Sequence, residues 1–368
     1  MNSNKIRTIG AGILAAIWLC LTGFAWFGPR QEMSEAERRP LDQMPEISVE
    51  NILSGKFMAD FEDFTLDQFP LRDTFRQLKA LFHYNVLHQG DNNGIYVADG
   101  YAAKLEYPMK ETSIEYAVSR FNYLYEKLLK PAGSKVWLTV APDKGYYLAQ
   151  ENGYPVMDFE EMFTQLQQGM PWAEFVDITD TLSIEDYYRT DTHWRQECLL
   201  DAAGKLSAAL GIEAPRAEAF TQVAVERPFY GVYYGQAALP MEPETMYYLQ
   251  SDLLSDCKVF DYETNQYASV YDMSKLESKD LYDIFLSGSK SLLRIENPNA
   301  ATDKELIMFR DSFGSSMVPL LVQVYSAVTV VDIRYISTEV LDRFVEFKGQ
   351  DVLLLYSTLV LNNSNTIK

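Results

Sequence analysis

A serine hydroxyl becomes a useful nucleophile only beside a base, and a histidine serves as that base only when a third group orients it. Of three histidines in the sequence, His193 lies in the polar stretch Tyr188-Arg189-Thr190-Asp191-Thr192-His193-Trp194, just ahead of a predicted helix. Asp191, two residues earlier, can reach the imidazole from an extended or turning loop. Far downstream, Glu305-Leu306-Ile307-Met308-Phe309 reads as a buried strand that breaks at Arg310-Asp311-Ser312 into an apolar helix. A serine at such a junction stands exposed above a sheet, where backbone N–H groups of the turn can stabilise an oxyanion. Asp191, His193 and Ser312 are therefore the candidate orienting carboxylate, general base and nucleophile of an acyl-transfer site. The plainer readings are a capping or carbonyl-bonded His193 and a helix-capping Ser312. The presence of all three settings in one chain favours chemistry, with Asp311 given a structural role at the turn.

Four further residues are candidate substrate contacts. Arg310 precedes the serine turn and is suited to an anionic or polyhydroxyl ligand. Lys144 follows the predicted strand Lys135–Ala141 in the loop Pro142-Asp143-Lys144. Trp194 reads first as packing beneath the histidine loop and second as a sugar platform. Tyr233 belongs to the tyrosine-rich stretch 229–236, which reads as the lining of a glycan groove or as a hairpin with ordinary aromatic packing. Asp332 and Arg334 read as a structural strand-end pair. His83 and His88 do not share a helix face, and Cys20, Cys198 and Cys257 match no zinc pattern. No metal or cofactor is implied, and a Cys198–Cys257 bridge stays open.

The elements that must position these groups alternate as in an α/β domain. After the strand ending at Ala141 come a helix near 159–167, a strand near 174–178 and a helix over 196–210. The serine strand and helix follow, then strands at 328–331 and 352–356. A helix over 111–129 precedes the series, and Asp99-Gly100 marks a tight hairpin. Residues 57–88 read as two helices joined at Pro70, and residues 215–300 give only weak, loop-rich signals. The organisation expected is a tail and anchor over 1–30, a spacer and helical extension over 31–90, and an α/β domain over 91–368.

Asp191-Thr192-His193-Trp194 paired with Asp311-Ser312-Phe313 resembles the DHHW protein family and the related alginate O-acetyltransferase-like proteins, whose SGNH-hydrolase-like domains carry an Asp-x-His pair before the serine. The resemblance takes in the Asp67–Asp73 segment, the Asp99-Gly100 hairpin and the Ala141–Lys144 loop, and so covers roughly 32–368. It implies a flavodoxin-like three-layer α/β sandwich with a parallel sheet, with Ser312, His193 and Asp191 in the roles above. It also implies an extracytoplasmic protein that acetylates an exported or cell-surface polysaccharide, often beside a membrane-bound O-acyltransferase. A carbohydrate acetylesterase and a non-catalytic glycan-binding or assembly partner are the alternatives. Two residues depart from the pattern: Thr192 stands where the family name has histidine, and Arg310 where related serine motifs place glycine. The glycine and asparagine oxyanion donors of ordinary SGNH hydrolases have no evident counterpart.

Composition narrows the partners. The 368 residues are 47% hydrophobic, enough for one large core or two modest ones, and a formal charge of −20 would repel nucleic acid. Ile9 to Phe27 carries no charge and follows Lys5 and Arg7, which marks a membrane anchor with the body outside the cytoplasm. A cleavable signal peptide ending near Gly23-Phe24-Ala25, giving a secreted protein, is the competing reading.

Overall fold

The computed structural model describes residues 3–34 and 36–368. Glu35, one of the charges of the spacer, lies outside them. The described chain divides into two units, residues 1–93 with 234–240, and residues 94–233 with 241–368.

The first unit opens with helix α1 (Ser3–Phe27), whose Arg7–Phe27 stretch is long and apolar enough to cross a membrane. A signal sequence passes the same test of length and composition. After a short helical turn at Val49–Leu53 come the longer helices α2 (Lys56–Asp67) and α3 (Arg72–Asn85), broken as expected around Pro70, which cannot donate a backbone hydrogen bond. Asp67 at the break is buried and receives two bonds of 2.7 Å from the Arg39 guanidinium and one of 2.9 Å from the Asp42 N–H.

The second unit is built on one sheet of eight strands: β1 (Val136–Ala141), β2 (Glu174–Phe175), β3 (Lys258–Asp261), β4 (Gln266–Ala268), β5 (Leu292–Glu296), β6 (Glu305–Arg310), β7 (Ala327–Val331) and β8 (Asp351–Ser357). Their spatial order is β4-β3-β5-β7-β6-β8-β1-β2. The run from β7 to β2 is parallel, with Leu306 opposite Val328 and Asp351, and Val352 opposite Val136. Alternate side chains of the central strands enter opposite cores. Leu306 and Met308 join a cluster with Leu206 of helix α6 (Leu200–Leu210) and Met317 of helix α7 (Phe313–Leu321). Ile307 and Phe309 meet Phe121 of helix α4 (Glu111–Leu124) and Met162 of helix α5 (Phe159–Gly169). Ile114, Ala117, Phe121 and Leu124 recur at helical spacing, which explains why α4 lies along the sheet. Burial on both faces is why the parallel strands read as unbroken apolar runs. The unit is a three-layer α/β sandwich, with a core on each face of the sheet.

The sheet is not wholly parallel. β5, β3 and β4 add antiparallel strands at one edge, and Thr221–Phe229 pairs with Glu244–Gln250 in a separate ribbon. All five come from the region that gave weak signals. The 229–236 stretch is also not a hairpin: Phe229 ends a ribbon strand and Val232–Ala237 forms a short helix. The Asp99-Gly100 hairpin is present, with φ of 48° and 82° at its two turn residues.

The carboxyl ends of the parallel strands hold a buried charge cluster. Asp332, after β7, accepts two bonds from Arg334, at 2.9 Å from Nε and 2.6 Å from a terminal nitrogen. Arg310, the last residue of β6, is 3.8 Å from the same carboxylate and reaches the Asp311 and Gly288 carbonyls only at 3.4 Å. Its burial pushes the guanidinium below its ordinary pKa. A buried cation with loose partners costs stability, whereas removing the well-bonded partner of a buried anion is expensive. Arg334→Ala is therefore expected to lower the unfolding free energy by about 3 kcal/mol. Arg310→Met should leave it unchanged or raise it. Chemical unfolding of the two variants checks both signs, and a large loss for Arg310→Met would contradict this account.

Candidate active site

The loop after β7 is one of several that meet at the carboxyl ends of the parallel strands, the edge where open α/β sheets place their ligands. β6 delivers Ser312, which opens α7. Asp311 shapes this turn as expected, accepting from the Phe313 N–H at 3.0 Å and the Ser357 N–H at 2.7 Å. The histidine arrives from the loop before α6, which is tied into a β-bridge by Tyr187 and Trp194. His193 Nε2 lies 2.8 Å from Ser312 Oγ, and its Nδ1 lies 2.6 Å from Asp191 Oδ2. Residues 119 positions apart thus form one continuous hydrogen-bonded line.

Asp191 is fully buried, so its carboxylate must be satisfied within the protein. Oδ1 accepts from the Val232 N–H at 2.7 Å, and Oδ2 also takes the His193 N–H at 3.2 Å. The preceding loop is held at each residue. Glu244 accepts from the Arg189 and Thr190 N–H groups, both at 2.8 Å, and Thr190 Oγ1 accepts from the Gly231 N–H at 2.9 Å. The imidazole is stacked on Tyr282, with ring centroids 3.8 Å apart and planes within 5°. The Tyr282 hydroxyl donates to Ser316 Oγ at 2.8 Å, and burial holds the phenol far above its usual pKa. A neutral ring face of this kind favours an imidazolium when one forms.

The four expected substrate contacts are placed otherwise. Arg310 has no exposed surface and serves the charge cluster. Trp194 is also fully buried, its Nε1 donating to Ser316 Oγ at 2.8 Å and the Phe313 carbonyl at 3.1 Å, so packing is its observed role. Tyr233 is buried and donates to Thr192 Oγ1 at 3.0 Å. Lys144 is buried beside it, its Nζ 5.1 Å from the Tyr233 ring centre and bonded to the Tyr188 and Arg189 carbonyls at 2.9 and 3.3 Å. These two side chains brace the loop that carries Asp191 and His193. Glu244, Gly231 and Tyr282 belong to the same support and went unread in the sequence, because each comes from the weakly patterned region. Cys198 and Cys257 are free thiols. Among the described residues no cluster of histidine, cysteine or carboxylate side chains suits a metal ion.

Residues 179–331 match the DHHW protein family. The DHHW match contains all three residues of the hydrogen-bonded line and bears out the resemblance carried by Asp191-Thr192-His193-Trp194. A solved structure of a DHHW family protein from Eubacterium siraeum is 21% identical, with TM-score 0.61, covering 75% of this chain and 95% of its own. Bacillus cereus PatB1, solved with a sulfonyl adduct, is 17% identical, with TM-score 0.58 and coverage of 73% and 95%. The O-acetyltransferase domain of Pseudomonas putida AlgJ is 14% identical, with TM-score 0.45 and coverage of 73% and 92%. No curated protein matches the chain.

Two substitutions test the support of the site. A Cβ on Gly231 would fall 2.2 Å from the Asp191 Cβ and 2.4 Å from its backbone N, so no side-chain rotation relieves the clash. Gly231→Ala is expected to displace Asp191 and abolish any activity of the site, whereas a fully active variant would show that Asp191 is not held there. Burial lowers the Lys144 pKa to about 7, against the raising effect of Asp191, Glu244 and Asp143. Between pH 7 and 10 the unfolded chain then binds a proton that the folded chain has lost, so this residue makes stability rise with pH across that window. Lys144→Met should remove that rise, which thermal unfolding of variant and parent over the same pH range will reveal.

Proposed function

We propose that this protein is a serine-dependent O-acetyltransferase that works outside the cytoplasm on an exported or cell-surface polysaccharide, held to the membrane by α1. The observation that carries the reading is the line Asp191–His193–Ser312, with contacts of 2.6 and 2.8 Å at a strand-to-helix turn. The DHHW match over the same residues supports it, as does the similar fold of PatB1, a protein captured as a sulfonyl adduct. Lys5 and Arg7 ahead of the apolar span favour placing the body outside.

In this scheme Ser312 Oγ attacks the carbonyl carbon of an acetyl donor while its proton passes to His193 Nε2. Asp191 fixes the tautomer through Nδ1 and balances the imidazolium. The leaving group takes the proton from Nε2, which leaves acetyl-Ser312. A sugar hydroxyl then gives its proton to Nε2 and attacks the acetyl carbon, and the proton returns to Ser312 as the ester departs. The Phe313, Gly314 and Ser315 N–H groups are engaged by Asp311 Oδ1, the Asp311 carbonyl and the Ser312 carbonyl. That leaves the Ser312 N–H as the donor of this turn for the oxyanion. Hydrolysis differs only in water replacing the sugar, and a membrane-bound O-acyltransferase is the partner that would supply acetyl groups across the bilayer.

The test is reaction of the full chain with a sulfonyl fluoride, mapping of the adduct, and release of 4-nitrophenol from its acetyl ester with and without an oligosaccharide acceptor. Labelling at Ser312 is expected, with turnover lost in Ser312→Ala and His193→Ala and lowered roughly 10⁴-fold in Asp191→Asn. Acetylated oligosaccharide detected by mass spectrometry identifies transfer, and acetate alone identifies an esterase. An unlabelled, inactive but folded protein would refute the catalytic reading.

A further inference from the structure

Large apolar side chains left open to solvent are unevenly distributed. Beyond residue 87 they comprise six tyrosines, Met273 and Phe344, whereas α2, α3 and their flanks expose leucine, methionine and phenylalanine in quick succession. Leu71, Phe75, Leu78 and Phe82 recur at helical spacing along one side of α3 and are 69%, 44%, 61% and 50% exposed. Of the basic residues between them, Arg72 and Arg76 turn the other way, while Lys79 stays exposed. Arg72 and Arg76 keep only 16% of their side chains exposed and pair with Glu37, and Arg72 also reaches Asp67 at 3.2 Å. A helix facing water buries its apolar stripe and exposes its charges. α3 instead exposes its apolar stripe and draws Arg72 and Arg76 inward, with Asp73 and Lys79 still open to solvent, an arrangement that suits a helix lying where acyl chains meet water.

The cover is specified by what shares the unit. α1 is apolar on every side and almost wholly uncovered by protein, so lipid is the medium that satisfies it. Its last turn is locked to α2: the Trp26 and Phe61 rings are 5.6 Å apart, Phe61 stacks on Phe57 at 5.7 Å, and the Arg30 guanidinium lies 5.1 Å over Phe64. Tryptophan at the end of a span marks the headgroup level, and these contacts hold α2 at that depth. We infer that α2 and α3 form an interfacial collar, with the Leu71-Phe75-Leu78-Phe82 face seated in the outer leaflet of the bilayer around the exit of α1. The collar gives the unit a defined footing on the membrane where a bare tether would leave it free. This inference rests on reading α1 as a retained span and is independent of the acetyl-transfer chemistry.

The test places added tryptophans at Leu78→Trp and Phe82→Trp in the full chain, with Tyr267→Trp as the water-facing control, reconstituted in phosphatidylglycerol–phosphatidylcholine nanodiscs. Lipids brominated near the headgroup should quench the added emission at 78 and 82 but not at 267, and aqueous iodide should do the opposite. The native Trp18 and Trp26 report separately on α1, since their emission is quenched by the same lipids only if the span is inserted. Iodide access at 78 and 82 with α1 inserted would overturn the collar. Shielding from both quenchers would overturn it too, and assign the face to a protein surface such as a second copy of the chain.

Discussion

The site depends on a single buried anion. Asp191 has no contact with solvent, and a carboxylate without water is tolerated only where donors surround it. Its two oxygens are met by the Val232 and His193 N–H groups and by the imidazole. Each donor fixes a segment: Val232 brings the chain after the ribbon strand, and His193 closes the loop on itself. Gly231 is required because the backbone passes against the Asp191 main chain with no room for a side chain. The imidazole is thereby held against Ser312 by bonds made within the protein.

A second centre, Ser316, keeps the histidine loop in register with the serine helix. Its hydroxyl receives bonds from Trp194 Nε1 and the Tyr282 hydroxyl, and its carbonyl receives one from the Gln196 amide at 3.0 Å. One turn of α7 therefore gathers the residue after His193, a residue at the start of the next helical segment, and the ring that stacks on the imidazole. Displacement of α7 would move Ser312 and His193 together, so the 2.8 Å contact is insulated from small shifts of either element.

Much of this was legible because it depends on local chemistry or on strong periodicity. Asp191, His193 and Ser312 declare themselves through residue type and through the abrupt end of an apolar strand, and the buried strands β1, β6 and β8 through uninterrupted apolar runs. The supporting residues were not legible. Glu244, Tyr282 and Gly231 act through contacts with residues distant in sequence, and their own segments are short, half-exposed strands and turns with little pattern. β3 and β4 pair at the sheet edge, where exposure thins the hydrophobic signal. Arg310 and Lys144 read outward because charged side chains usually face water, and the fold instead consumes them as internal braces, whereas the packing role of Trp194 is the first reading of its place beside the histidine.

Both departures from the family pattern are absorbed by the structure. Thr192, in place of a histidine, turns its hydroxyl toward the Tyr233 phenol and so adds a tie between the Asp191 loop and the Lys144–Tyr233 pair. Arg310, in place of a glycine, raises the question of crowding at the serine turn. The room comes from the other side of the contact: a Cβ on Gly314 would fall 2.6 Å from the Arg310 Cβ, so the first turn of α7 comes close to β6 only because residue 314 lacks one. Gly314 thus provides, within this chain, the space that the Arg310 side chain needs beside the turn. Arg310 can therefore stand next to the turn while its guanidinium is directed to Asp332 and the Gly288 carbonyl, and the Ser312 hydroxyl keeps its contact with His193.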